Sequence, residues 1–191
     1  TQACIPVALR ALEEGKPADL AIRDHVVDAN NTRYSRIAQT AKHLVDTFPD
    51  NGTVMTQCFA ETIVGMMLKE CTARGRRIRL FCPETRTYFQ GASQISICAK
   101  HFGVPVYVTG APDIGHMTHD SVTIEMRDPD FTLQAMGVRT AAAGLGIKGY
   151  YPAFDMTEPC FITGIVTPKG IYRPDSLHSY FDKDTPSGFL C

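Results

Sequence analysis

Short apolar strands alternate with helical segments through the middle of the chain, and this alternation constrains the fold more than any other feature. Strands are predicted at residues 54–56, 78–82 and 104–108, and helices at 59–73 and 95–102. Strands separated by helices are typical of a parallel sheet that is covered by helices. The sequence therefore predicts an α/β protein with a mostly parallel sheet flanked by helices.

Helices are also predicted ahead of this region. Apolar residues recur with helical spacing over 5–12. A second helix, capped by Asp28 or Asn30, carries one apolar stripe over 37–48 at the 3.6-residue period. The turn sequence Pro49-Asp50-Asn51-Gly52 ends this helix.

Later segments carry weaker signals. Residues 122–125 indicate a short strand, and the β-branched run 162–166 indicates a strand or the end of a buried helix. Asp155 resembles a helix N-cap. His116 and His119 lie near acidic residues, but the loop lacks the regular spacing of metal ligands, so no metal site is predicted.

Charge and cysteine usage argue against several classes of protein. The net charge of -1 provides neither a basic footprint for nucleic acid nor a polybasic membrane anchor. No apolar stretch is long enough to cross a bilayer, and no secretory leader is visible. The seven cysteines include no CxxC pair and no zinc-ligand spacing. We therefore expect a cytoplasmic protein with reduced thiols that binds neither membranes nor nucleic acid.

Two corners of the predicted sheet carry the residues with useful chemistry. Gln57 and Cys58 follow the first strand, and Gln90 with Gly91 comes after the second. Ligands of open α/β sheets bind outside the carboxyl ends of the strands, beside helix N-termini that favour anions. A thiol at a helix N-terminus has a lowered pKa and can act as a nucleophile or as a general acid or base. An amide side chain can donate to a phosphate, and glycine lets the backbone approach a ligand closely.

Structural roles remain open at the same positions. Cys58 is also compatible with a buried structural cysteine, and Glu84 with Arg86 is also compatible with an ion pair that shapes the loop. The later passages Arg127-Asp128-Pro129 and Gly137-Val138-Arg139 are interpreted as structural rather than catalytic.

Four passages carry a resemblance to known proteins. They are Thr56-Gln57-Cys58, Glu84-Thr85-Arg86 with Gln90-Gly91-Ala92, Ile124-Glu125-Met126-Arg127-Asp128-Pro129 with Gly137-Val138-Arg139, and Tyr151-Pro152-Ala153-Phe154-Asp155-Met156-Thr157. They resemble one family, which comprises methylthioribose-1-phosphate isomerases, ribose-1,5-bisphosphate isomerases and the regulatory subunits of translation initiation factor 2B. The second passage is the most specific, although Thr87 stands where the family usually has proline. The resemblance extends over nearly the whole chain from 30 to 174.

The resemblance implies a Rossmann-like domain and the isomerisation of an aldose 1-phosphate to a ketose 1-phosphate. The implied substrate is 5-methylthioribose 1-phosphate or a related 5-substituted ribose 1-phosphate. By the same resemblance Cys58 is the catalytic thiol, acting with an Asp, and Gln57, Arg86, Gln90 and Gly91 bind the substrate. No metal or organic cofactor is implied, and a homodimer is expected.

Two other functions remain open. The first is a non-catalytic regulatory subunit that resembles initiation factor 2B and binds a sugar phosphate or nucleotide together with a protein partner. The presence of both Cys58 and Gln90 favours the enzyme over this alternative. The second is a thiol-based redox protein, against which the lack of a CxxC pair counts.

The chain departs from the family pattern just after Ala92. The family has a further helix, a strand, a corner with the catalytic Asp and a phosphate-binding passage there, and none of these is present in this sequence. We therefore expect a missing segment near 92–95. Residues 1–27 are interpreted as the end of an N-terminal helical domain, and 28–191 as the Rossmann-like catalytic domain.

Overall fold

The computed structural model describes residues 3–57, 60–82, 92–113, 115, 118–141 and 145–181. The chain divides into two compact units. The first consists of Thr1–Thr53, Ala60–Arg79 and Val166–Ile171, and the second of Val54–Phe59, Leu80–Ile165 and Tyr172–Cys191.

Three helices form most of the first unit. They are α1 (Cys4–Glu13), α2 (Ala18–Asp46) and α3 (Glu61–Ala73). Their apolar faces pack together, and this unit's core contains Ala11, Ala41, Val45, Phe48, Val64, Met67 and Cys71. The helices predicted at 5–12 and 59–73 are thus confirmed, the second over its described residues.

The structure places the start of α2 earlier than the sequence indicated. The helix begins at Ala18 behind Pro17 and has Asp19 in its first turn, so the predicted caps at Asp28 or Asn30 are wrong. An acidic residue in the first turn interacts favourably with the positive end of the helix dipole and so stabilises a helix that starts there. Residues 28–35 are all exposed, so this part of the helix shows no apolar stripe that could reveal it.

Two arginines beyond α3 hold the C-terminal end of α2. Arg76 Nη1 donates to the carbonyl oxygens of Val45 and Phe48, at 2.9 and 3.0 Å. Arg74 pairs with Asp46 of α2 and, at 2.6 Å, with Glu70 of α3. The last carbonyl groups of a helix have no donor from a following helical turn. Arg76 therefore adds a second donor to Val45 O, which also accepts from Phe48 N at 3.2 Å, and supplies a donor to Phe48 O just beyond the helix.

Two short strands follow the predicted pattern and form a parallel pair. They are β1 (Thr53–Met55) and β2 (Arg79–Phe81). Arg79 N donates to Gly52 O, and Thr56 N donates to Phe81 O, both at 2.9 Å. Because the bonded positions advance together along both strands, the strands run in the same direction.

The second unit contains α4 (Ala92–His101). A three-stranded sheet is formed, in this spatial order, by β3 (Tyr107–Thr109), β6 (Gly164–Thr167) and β7 (Gly170–Tyr172). The strand alternative for 162–166 is therefore confirmed. Strands β4 (Gln134–Ala135) and β5 (Val138–Arg139) form a separate antiparallel hairpin.

The late loops are held together by backbone hydrogen bonds rather than by a regular strand at 122–125, where the prediction is wrong. Met126 and Pro152 form an isolated antiparallel bridge, and Arg127 N donates to Tyr151 O at 2.8 Å. The predicted N-cap at Asp155 is also wrong, because the next helical turn is a 3₁₀ turn at Pro159–Phe161 with Glu158 at its N-cap position.

The strands of the described residues thus form three small sheets, and the mixed helix–strand arrangement confirms the α/β class. A 3₁₀ segment at Pro174–Phe181 follows the last strand and buries Tyr180 against Tyr172, with ring centroids 5.7 Å apart. Across the described part of the chain, no helix is long and apolar enough to span a membrane.

Candidate functional site

The site predicted from sequence begins where β1 and β2 end. These strands are parallel neighbours, so their carboxyl ends lie side by side. The hydrogen bond from Thr56 N to Phe81 O, 2.9 Å long, is formed just beyond the last residue of β1. The chain therefore leaves the two strands at adjacent positions on one edge of the pair.

A side-chain contact continues this pairing one residue further. Thr56 Oγ1 donates to Cys82 Sγ at 3.3 Å. Thr56 is half-buried and Cys82 is exposed. The two residues are 26 positions apart in the chain, so the contact depends on the pairing of the strands.

One of the predicted site residues lies within the described residues. Gln57 is half-buried and directly follows Thr56. Cys58, Arg86, Gln90 and Gly91 lie outside the described residues, and so the roles assigned to them stay predictions.

Cys82 is a residue that the sequence reasoning missed. The sequence analysis assigns it no role among the seven cysteines, whereas the structure places its thiol at the edge of the β1–β2 pair and in contact with Thr56. Its position immediately after the second apolar strand is the signal that could have identified it, because side chains at that position face the carboxyl edge.

Cys71 shows the contrasting environment of a structural thiol. It lies in α3 with 3% of its surface exposed. Burial raises the pKa of its thiol, and the nearby Arg76 and Arg74 oppose this increase. A thiol with a raised pKa is mostly protonated at neutral pH and is a poor nucleophile, so Cys71 has a packing role.

The late passages form a network of structural contacts. Asp128 accepts a hydrogen bond from the backbone N–H of Asp130 at 3.0 Å and caps a 3₁₀ turn. Arg139 lies 3.8 Å from Asp130, and the Arg127 guanidinium lies over the Tyr151 ring at 5.9 Å. These contacts support the structural interpretation of both passages.

No group of three or more His, Cys, Asp or Glu side chains in the described ranges could hold a metal ion. His119 begins a short 3₁₀ turn, His119–Ser121, and His116 lies outside the described residues.

Comparison with known proteins supports the resemblance seen in the sequence. Residues 90–174 match the model of the Initiation factor 2 subunit family. A curated relative from Petrotoga mobilis, named 5-deoxyribose 1-phosphate isomerase, is 39% identical over 98 residues, which are 48% of this chain and 28% of the relative. A relative of the same name from Clostridium botulinum is 40% identical over 99 residues, 49% of this chain and 28% of the relative. The matched region thus spans less than a third of each relative's length.

Solved structures show the same fold at low sequence identity. The delta subunit of translation initiation factor eIF-2B from A. fulgidus has a TM-score of 0.69 at 19% identity, covering 92% of this chain and 71% of that one. The 5-methylthioribose 1-phosphate isomerase from Pyrococcus horikoshii OT3 has a TM-score of 0.61 at 17% identity, covering 90% and 66%. At these identities the likeness establishes the fold and no more.

Proposed function

We propose that this chain is part of an isomerase that converts a 5-substituted ribose 1-phosphate to the corresponding ketose 1-phosphate. The names of the curated relatives support 5-deoxyribose 1-phosphate as the first substrate to test. The name of the solved isomerase that is 17% identical suggests 5-methylthioribose 1-phosphate as the second substrate to test.

The observation that carries this proposal is the parallel pairing of β1 with β2. The segment Gln57-Cys58 continues from the end of β1, and the segment that contains Arg86 and Gln90 continues from the end of β2. Because the two strand ends are adjacent, both segments start from one edge, which is where α/β sheets bind their ligands. The proposal assigns the thiol to proton transfer and the amide to the phosphate.

The proposed chemistry follows from the substrate. A phosphate on C1 blocks the anomeric position, so an acid must open the sugar ring before a proton can pass from C2 to C1. In the proposal, Cys58 moves that proton and Gln90 holds the phosphate. A positioned general acid or base typically contributes about 10²–10⁴-fold to the rate.

The second acid of this mechanism is assigned to a segment missing from the chain near 92–95. In the structure α4 spans Ala92–His101, so the expected join lies in its first turn. The mass of the protein from its natural source tests this assignment. A mass near 21.0 kDa, that of the 191 residues, would contradict the missing segment.

Turnover is the direct test of the function. The protein from its natural source is mixed with each sugar 1-phosphate, and ketose formation is followed. We expect Cys58→Ser to abolish turnover while the circular dichroism spectrum and unfolding midpoint stay unchanged. Cys160→Ser is the matched control, because Cys160 is an exposed cysteine in another part of the chain. Full turnover by Cys58→Ser would refute the assigned role.

A non-catalytic regulatory subunit is the second candidate function. The specific observation in its favour is that the sequence lacks the second acid and the phosphate-binding passage that the family resemblance leads us to expect. Sugar-phosphate binding without turnover, measured by calorimetry on a protein of 191-residue mass, would favour this candidate over the isomerase.

A homodimer is part of the same proposal. Large apolar side chains are exposed along the late loops, with Met136 97%, Tyr150 77% and Leu145 70% exposed. Large apolar patches on a protein surface commonly mark interaction sites. Sedimentation equilibrium at micromolar concentration tests this expectation, and a single species with the mass of one chain would contradict it.

A further inference from the structure

The side-chain contact between Thr56 and Cys82 lies where the two candidate segments begin. Thr56 Oγ1 donates to Cys82 Sγ at 3.3 Å, and Thr56 N donates to Phe81 O at 2.9 Å. Thr56, at the end of β1, is therefore hydrogen-bonded to two successive residues at the end of β2, Phe81 and Cys82.

We propose that Thr56 and Cys82 are positioning residues that fix the separation of the ends of β1 and β2, from which the two candidate segments continue. The inference rests on the proposed isomerase function. Gln57 and Cys58 come directly after Thr56, and Glu84 is the second residue after Cys82. A displacement of one strand end relative to the other would move the thiol relative to the phosphate-binding segment. Active sites are sensitive to such changes, since a misplacement of about 1 Å can cost about 10²-fold in rate.

The low burial of Thr56 and Cys82 distinguishes a positioning role from a role in folding. Cys82 is exposed and Thr56 is half-buried, and neither belongs to the buried core. Removing either polar group therefore leaves no cavity, and an exposed hydrogen bond contributes little to global stability. The contact is expected to act on the position of the strand ends with little effect on the unfolding midpoint.

Hydrogen exchange tests the inference without reference to activity. Thr56→Val keeps the branched shape and removes the donor, and Cys82→Ala removes the acceptor. We expect each variant to raise exchange in peptides covering 54–57 and 79–82 about two- to tenfold, the range for one net hydrogen bond. Cys82→Ser keeps an acceptor at the same atom and should restore exchange to near the wild-type rate.

A matched control is available in α3. Thr72 Oγ1 donates to Leu68 O at 2.9 Å within the helix, so Thr72→Val also loses a threonine hydroxyl bond but joins no strands. We expect this variant to leave exchange at 54–57 and 79–82 unchanged. Equal exchange at these peptides in Thr56→Val, Cys82→Ala and wild type would overturn the inference.

Kinetics then connect the contact to the reaction. In the protein from its natural source, Thr56→Val and Cys82→Ala should each lower kcat/KM about two- to tenfold, while Cys82→Ser and Thr72→Val should not. The double variant Thr56→Val/Cys82→Ala should lose no more than one single variant, because both remove one contact. A loss equal to the product of the single losses would refute a shared role.

The two proposals fail in different ways. If the wild type binds and converts no sugar phosphate, the proposed function fails, and with it the assignment of a positioning role. If the wild type turns over normally and both single variants match it in kcat/KM, only the positioning role fails.

Discussion

Replacing Arg76 by methionine should destabilise the helical unit by about 1–3 kcal/mol. Arg76 Nη1 donates to the carbonyl oxygens of Val45 and Phe48, at 2.9 and 3.0 Å. A net hydrogen bond contributes about 0.5–1.5 kcal/mol, so two such bonds give the stated range. The ion pair with Asp50 adds little, because its atoms are 3.8 Å apart and the Asp50 side chain is 84% exposed.

Methionine is a suitable replacement because it keeps an unbranched apolar stem and removes both donors. Val45 O then keeps the backbone N–H of Phe48 as its donor, and Phe48 O, just beyond the end of α2, loses its Arg76 donor and must bind water instead. Urea unfolding followed by helical circular dichroism measures the effect as a change in midpoint at constant slope. For a chain of this size, each kcal/mol corresponds to about 2–4 °C in the thermal midpoint.

Arg23→Met is the matched control for this measurement. Arg23 pairs with its neighbour Asp24 at 2.9 Å, and both side chains are about two-thirds exposed, at 65% and 66%. Exposed pairs of this kind contribute about 0–1 kcal/mol, so we expect a change close to zero. If Arg76→Met unfolds at the same urea concentration as Arg23→Met, the capping argument is wrong.

Two further predictions concern a buried thiol and a strained turn. Burial raises the pKa of the Cys71 thiol in the folded state. The protonated thiol therefore stabilises the fold fully below the pKa of the unfolded thiol, usually about 8.5, and this stabilisation is lost as the pH rises through the folded-state pKa. The difference in unfolding free energy between wild type and Cys71→Ala should shrink between about pH 8 and about pH 10 in urea titrations, and a constant difference would contradict this. Met136 has φ 52° and precedes Gly137 at φ 79° in the β4–β5 turn, where asparagine is favoured, so Met136→Asn should raise the free energy of unfolding by up to about 1 kcal/mol. A lower unfolding midpoint would argue against turn strain.

Local patterns explain which elements could be predicted. The strands β1 and β2 and the helix α3 each carry their apolar pattern within one short segment, so the pattern was readable without knowledge of the fold. Residues 28–35 of α2 could not be located in this way. They are all exposed, and a helical segment without a buried face has no apolar period.

The strand prediction at 122–125 is wrong although a local apolar pattern is present there. A short β-branched run satisfies the local preference of a strand, but a strand also needs a partner along its length. In the structure this part of the chain meets its partner through the Met126–Pro152 bridge and two flanking hydrogen bonds. Pairing of so few residues produces a bridge rather than a strand.

Some residues of the candidate site could be proposed from the sequence, and one contact could not. Gln57 and Cys58 could be proposed from sequence because they directly follow a recognisable strand, and Gln90 because it belongs to a specific run of residues. The contact between Thr56 and Cys82 could not be proposed, because the two residues are 26 positions apart in the chain and meet only once β1 and β2 pair.

The sequence by itself determined the α/β class, the order of the middle strands and helices, and the positions at which useful side chains follow a strand. These properties depend on the spacing of neighbouring residues, which is the same before and after folding. The tertiary structure alone decided that β1 and β2 are parallel neighbours, that Thr56 meets Cys82, and that Arg76 caps α2. Such contacts join residues distant in the chain, and their free energy exists only once the intervening segments have brought them together.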